Sequence, residues 1–159
     1  MTSPSTSAQA TTTVPVLYMA LELAKAKWVV TSSPGLLGRS PRRVQLDPCL
    51  DDLLREIGLA KRRFQLPEET AVVTVYEAGF SGFWLHRALT DVGVSNIVTK
   101  SYTLARKRKG RKAKTDRLDA EALLRALIRF HRDGDADELY PIEVPGSEDE
   151  DDRVLSRER

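Results

Sequence analysis

The segment Val14 to Leu23 constrains the fold more than any other stretch. Leu17, Met19, Leu21 and Leu23 share one parity, while Tyr18, Ala20 and Glu22 share the other. Successive side chains of a strand point to opposite faces, so both faces of this strand are apolar until Glu22. A strand of that kind needs a covering layer on each side, which predicts a central strand in a sheet packed by helices. Glu22 breaks the pattern at the far end. It is either the solvated tip of the strand or part of a site, and the segment alone leaves both open.

The remaining elements can be read around that strand. Trp28 to Thr31 gives a second strand, and Arg42 to Leu46 a third, with a Pro- and Gly-containing connection over residues 32–41. Short connections between three strands predict an antiparallel meander. Asp47-Pro48 predicts a helix start, a capping residue followed by proline at the first helical position. Leu50, Leu53, Leu54 and Ile57 keep helical spacing, and Lys61-Arg62-Arg63 suits the C-terminal end of the dipole. Thr70 to Tyr76 is β-branched almost throughout and ends on Glu77. A helix over Trp84, Leu85, Ala88 and Leu89 stops near Gly93, and Asn96 to Thr99 forms a further strand. Strand, helix, strand implies a right-handed crossover and a parallel pair. The last helix runs from about Thr115 to Phe130, with Leu118, Ala122, Leu123, Ala126, Leu127 and Phe130 as its apolar face. The order β-β-β-α-β-α-β-α describes an α/β protein: a mixed sheet of three antiparallel strands plus parallel strands, with helices packed on the faces.

At 159 residues the chain suffices for one domain with a proper core, expected over residues 14–132. Residues 1–13 are rich in Ser, Thr, Ala, Gln and Pro, without Lys, Arg or an apolar run, so they predict a disordered leader and not a secretory signal. From Asp133 to Asp152 there are ten acidic residues and no basic one, with Pro141, Pro145 and Gly146, which predicts an acidic linker outside the core. Residues 153–159 are expected to begin a helix that they do not complete. The single Cys49 excludes an internal disulfide framework and a cysteine zinc cluster. With only His86 and His131, a histidine metal site or a Ser-His-Asp triad has little material, and both are expected to be structural or solvent-facing. The apolar runs are strand-sized, so no membrane segment is expected, and the default location is cytoplasmic.

Chemistry concentrates in two places. Arg106, Lys107, Arg108, Lys109, Arg111, Lys112 and Lys114 put seven cations into nine residues. Such a run repels itself and orders on a polyanion. If every one met a phosphate, log affinity would fall with log salt at a slope of about −6. A solvated loop or an import-type address is the plainer alternative. Immediately after it comes Lys114-Thr115-Asp116-Arg117-Leu118-Asp119-Ala120-Glu121. Asp116 and Asp119, three residues apart, share one helix face. Two carboxylates about 4 Å apart repel by roughly 4 kcal/mol at an effective dielectric of about 20, unless a cation, a proton or solvent intervenes. They could simply cap the helix and complement its dipole. Together with Glu22 and Glu77 at the C-terminal ends of strands, they form a set of hard oxygen donors that selects Mg²⁺ or Mn²⁺. Two such ions about 3.5–4 Å apart can serve in-line phosphoryl displacement.

Three segments carry a family resemblance. Tyr18 to Lys25, Tyr76 to Gly79 and Lys114 to Glu121 resemble, in order, the motifs of the N-terminal domain of insertion sequence IS-110 family transposases. The resemblance spans about residues 16–132. It implies a ribonuclease-H-like, RuvC-type fold with an Asp-Glu-Asp-Asp signature, here carried by Glu22, Glu77, Asp116 and Asp119. Glu22 stands where that family usually has aspartate, one methylene longer. The family also implies a C-terminal domain with a helical hairpin and a catalytic serine, expected to lie outside these residues, and Ser156 is not assigned that role. It implies DNA as substrate, a structured guide (bridge) RNA, and a homo-oligomer in the full-length form. The expected function is therefore a DNA transposase or recombinase domain acting with Mg²⁺. The alternatives are a non-catalytic nucleic-acid-binding remnant and a Holliday-junction-type nuclease.

Overall fold

The computed structural model describes residues 14–36, 39–79, 82–100, 116–135 and 138–145, with the backbone alone for 116–119. Its strands are β1 (Val16–Leu23), β2 (Trp28–Ser33), β3 (Arg42–Leu46), β4 (Ala71–Glu77) and β5 (Ser95–Thr99). Its helices are α1 (Leu50–Arg63), α2 (Trp84–Asp91) and α3 (Asp116–Asp133). The sheet runs β3-β2-β1-β4-β5. β1 pairs antiparallel with β2, and β2 with β3, while β1–β4 and β4–β5 are parallel. The meander, the crossover pair and the central position of β1 all match the pattern of the sequence.

The two parities of β1 serve two cores. Leu17, Met19 and Leu21 pack with Val30, Val72 and Tyr76 under Leu53, Ile57 and Ala60 of α1 and Leu85 and Leu89 of α2. On the other face Tyr18 and Ala20 pack with Val73 and Val75 under Ala122, Leu123, Leu124, Ala126 and Leu127 of α3. Burying one such leucine or valine contributes about 1.5–3 kcal/mol, so each helix is held by its apolar stripe more than by intrinsic propensity.

Several boundaries differ from expectation for physical reasons. α1 begins at Leu50, not at Asp47-Pro48. The Asp47 carboxylate accepts from Lys27 Nζ at 2.9 Å, and the extended Cys49 takes the N-cap place without a side-chain cap. β2 continues to Ser33 because its register with β1 persists to the Tyr18–Ser33 pair. α1 ends in a Schellman arrangement: Leu66 N–H donates to Lys61 O at 2.8 Å and Gln65 N–H to Arg62 O at 3.1 Å. Gln65 holds the left-handed conformation there, φ 58°, usually a glycine position.

Within residues 133–152, expected as an acidic linker outside the core, the part from 138 to 145 packs on the domain. Leu139 is 0 % exposed within the α3-side core, and Ile142 and Val144 pack against the opposite one. Tyr140 N–H donates to Thr99 Oγ1 at 2.9 Å, Lys100 N–H to Tyr140 O at 2.9 Å, and Ile142 N–H to Val98 O at 2.7 Å. β5 is an edge strand, and this segment occupies part of its open edge. The density of acidic residues hid three apolar ones.

Candidate functional site

The parallel register of β1 and β4 runs through the Leu21–Tyr76 pair. Glu22 and Glu77 each lie one residue further, so they are neighbours on strands about 4.8 Å apart, at the C-terminal ends of both. Alternation puts both on the face of Tyr18, Ala20, Val73 and Val75, the face covered by α3. Each is half-buried. On the other side Glu77 is in register with the buried Thr99, whose carbonyl accepts from Ala78 N–H at 2.9 Å. Open α/β sheets build sites at this end.

The direction of α3 follows from its last turn. The Tyr18 hydroxyl is 2.9 Å from His131 Nδ1, and the two rings meet edge-on with centroids 5.4 Å apart. Burial raises the Tyr18 pKa above 10.0, with Arg132 opposing the shift. The C-terminal end of α3 thus sits over the start of β1, and its first turn points toward the strand ends bearing Glu22 and Glu77. From Tyr18 to Glu22 is roughly 13 Å of strand, the rise of about nine helical residues. The level of Glu22 therefore falls near Ala122, with position 119 about one turn beyond. By the 100° step, positions 116 and 119 continue the stripe of Ala120, Leu123 and Leu127.

The structure brings Glu22 and Glu77 together. The side chains of Asp116 and Asp119 lie outside the described residues, as do Arg106, Lys107, Arg108, Lys109, Arg111, Lys112 and Lys114 entirely. Among the described residues, no group of three or more His, Cys, Asp or Glu gathers to hold a metal ion. Glu22 and Glu77 are the two sequence-predicted site residues whose side chains the structure describes.

His86 is structural, as expected. Its Nδ1 accepts from Asn96 Nδ2 at 2.9 Å, and Asn96 Oδ1 accepts from Thr74 Oγ1 at 2.5 Å. Burial first, and then the nearby Arg87, lowers the His86 pKa below 6.5. Beyond their places in a strand and a helix, Trp28 and Trp84 pack on each other. The two rings are 6.1 Å apart at 35°, at the same end of the sheet as Glu22 and Glu77. The available signals were Trp84 at the first position of a helix and Trp28 directly after a lysine-bearing turn.

No family model matches the chain. Over 146 residues, 90% of its length, the chain is 34% identical to the protein named Putative transposase y4rJ of Sinorhizobium fredii (strain NBRC 101917 / NGR234). The similarity is to a protein named as a transposase. It is too long to rest on one motif, yet the chain spans only 37% of that relative's own length. Among the described residues, no helix is long and apolar enough to cross a membrane.

Proposed function

We propose that this chain is the carboxylate-bearing domain of a DNA transposase of the IS-110 family type, with a ribonuclease-H-like, RuvC-type fold. The observation that carries the reading is the adjacency of Glu22 and Glu77 at the ends of parallel strands, on the face covered by the helix that begins at Asp116. The similarity to a protein named as a transposase supports the same reading. Glu22, Glu77, Asp116 and Asp119 would hold Mg²⁺ or Mn²⁺, which suit carboxylate oxygens and keep waters for a phosphate. When bound, such ions stabilise charge on the attacking and leaving oxygens of a phosphodiester in strand cleavage and exchange. The chain's own part is to fix four carboxylates on two strands and one helix, and to hold the DNA backbone with the cations from Arg106 to Lys114. A guide RNA and a homo-oligomer belong to this proposal for the full-length protein, as does a cytoplasmic location.

Glu22 favours a second reading. Where the family pattern has aspartate, the longer glutamate alters the reach of the ligand, as in a nucleic-acid-binding remnant that has lost cleavage. Mn²⁺ calorimetry tests the site. The chain is expected to bind the ion, and Asp116→Ala and Glu77→Gln to weaken binding at least about tenfold, since loss of one charged ligand costs upwards of about 1.4 kcal/mol. Unchanged binding in Asp116→Ala would sink the site assignment. Metal binding without cleavage of branched DNA would favour the remnant, or the need for the serine domain. Nicking by the isolated chain would point to the junction-nuclease type.

A further inference from the structure

At the end of the sheet that carries Glu22 and Glu77, an exposed aromatic surface has no role in the core. Trp84, the first residue of α2, is 45% exposed, whereas Trp28 behind it is 4% exposed. The rings lie 6.1 Å apart, tilted by 35°, so Trp28 backs one side of Trp84 and the rest of the Trp84 ring meets water. Its position is fixed from below. The buried Tyr76 hydroxyl donates to Gly82 O at 3.0 Å and accepts from His86 N–H at 3.3 Å, tying the first turn of α2 to β4 one residue before Glu77. That hydroxyl satisfies an otherwise orphaned amide of the helix start, where Phe83 offers no side-chain cap.

Two exposed lysines, Lys25 and Lys27, stand in the turn from Ala24 to Lys27 just before Trp28. Lys27 pairs with Asp47 at 2.9 Å, but the two side chains are 54% and 70% exposed. So exposed a pair contributes little and exchanges readily for a phosphate. Leu23, in register with Trp28, follows Glu22 directly. A polyanion lying across the strand ends would therefore meet the carboxylates on one face and the tryptophan pair on the other.

We propose that Trp84, backed by Trp28 with Lys25 and Lys27 in the turn that leads into Trp28, is a stacking platform for an unpaired nucleobase at the carboxylate end of the sheet. Every base has an apolar face, so a rigid tryptophan beside cations binds single strands with little sequence preference. The proposal rests on the reading of this chain as a nucleic-acid protein, and adds that part of the strand is unpaired there. Strand exchange requires separated bases, which gives such a platform a use beside the carboxylates.

Anisotropy of a labelled single-stranded oligothymidylate with the full chain tests this. Trp84→Ala is expected to weaken binding by about five- to a hundredfold, and Trp84→Phe by much less, since phenylalanine still stacks. An abasic strand of equal length keeps the phosphates and removes the bases, so the chain and Trp84→Ala should bind it equally. A thermal melt of Trp84→Phe close to that of the parent shows that affinity and not folding is being read. Equal affinity of Trp84→Ala and the parent for oligothymidylate overturns the platform, and if that binding is salt-dependent, the nucleic-acid reading survives. An equal loss on the abasic strand also overturns it. A parent chain that sediments as a dimer while Trp84→Ala is monomeric, with DNA affinity unchanged, overturns it in favour of an interface between copies. Absence of any DNA binding by the parent overturns both readings.

Discussion

Arg42→Met isolates the ion pair that ties the edge strand β3 to α1. Glu56, on the inner side of α1, is 2% exposed, and its two oxygens accept from Arg42 Nε at 2.7 Å and Nη2 at 3.1 Å. The hydrogen bond to Glu56 raises the Arg42 pKa above that of a free guanidinium, against a smaller opposing effect of burial. Methionine keeps much of the stem and removes both charge-assisted bonds, leaving a carboxylate in the core. Breaking a buried pair from one side costs about 3–5 kcal/mol. The Arg42 side chain is 26% exposed, so water reaches part of the site. The expected loss at neutral pH is therefore about 2–4 kcal/mol, a little below the range for fully buried pairs. Arg42→Met with Glu56→Leu removes both charges and should return to within about 1 kcal/mol of the parent. Urea unfolding of all four chains of this cycle measures the coupling. A loss under about 1 kcal/mol at neutral pH, or a double variant no more stable than Arg42→Met alone, would refute the buried pair.

Three further outcomes follow from particular contacts. The His86 pKa lies below 6.5 in the folded chain, so the unfolded chain binds more protons on acidification, and the contribution present above about pH 6.5 is lost as pH falls. His86→Gln should flatten that dependence, read as the difference between urea midpoints at about pH 7.5 and about pH 5.5. Gln65→Gly should raise stability by about 0.5–1 kcal/mol, because glycine takes φ 58° without the steric cost that glutamine bears, and a melting temperature that stays or falls would count against it. Leu139→Ala should cost about 2–5 kcal/mol and speed hydrogen exchange at the Lys100 and Ile142 amides, whereas an effect on neither would show that residues 138–145 do not dock as described.

Element type and order were legible because the periodicities are unambiguous. β1 is apolar on both parities, and β4 is β-branched and bounded by turns, so their burial on two faces could be read directly. The start of α1 was not legible, because the extended Cys49 and the bond of Asp47 to Lys27, twenty residues away in sequence, leave no local mark. The docking of Leu139, Ile142 and Val144 was hidden because no local signal marks an edge strand that lacks a partner. For the site, sequence identified Glu22 and Glu77 as strand ends but not as neighbours. Their adjacency depends on β1 pairing with β4 across an intervening meander and helix, a register that no short spacing encodes.

The geometry at that end of the sheet is set more by the core than by loops. Where α3 crosses β1, the facing residues are small: Ala20 on the strand and Ala120, Ala122 and Ala126 on the helix are all buried. Small residues let the helix backbone approach the sheet, while Leu123 and Leu127 pack into the same core as Val73 and Val75. The far end is fixed by the contact of Tyr18 with His131, and Gly35 lies close behind the same ring. A side chain at Gly35, already at φ 76°, would meet Tyr18 Cε2 at 3.0 Å and Arg132 Nη2 at 3.2 Å. A helix held at its C-terminal end and seated closely along its length has little freedom in where its first turn goes. Carboxylates borne by that turn and by two paired strands would then share one rigid frame, the condition for holding a small octahedral ion within its narrow geometric tolerance.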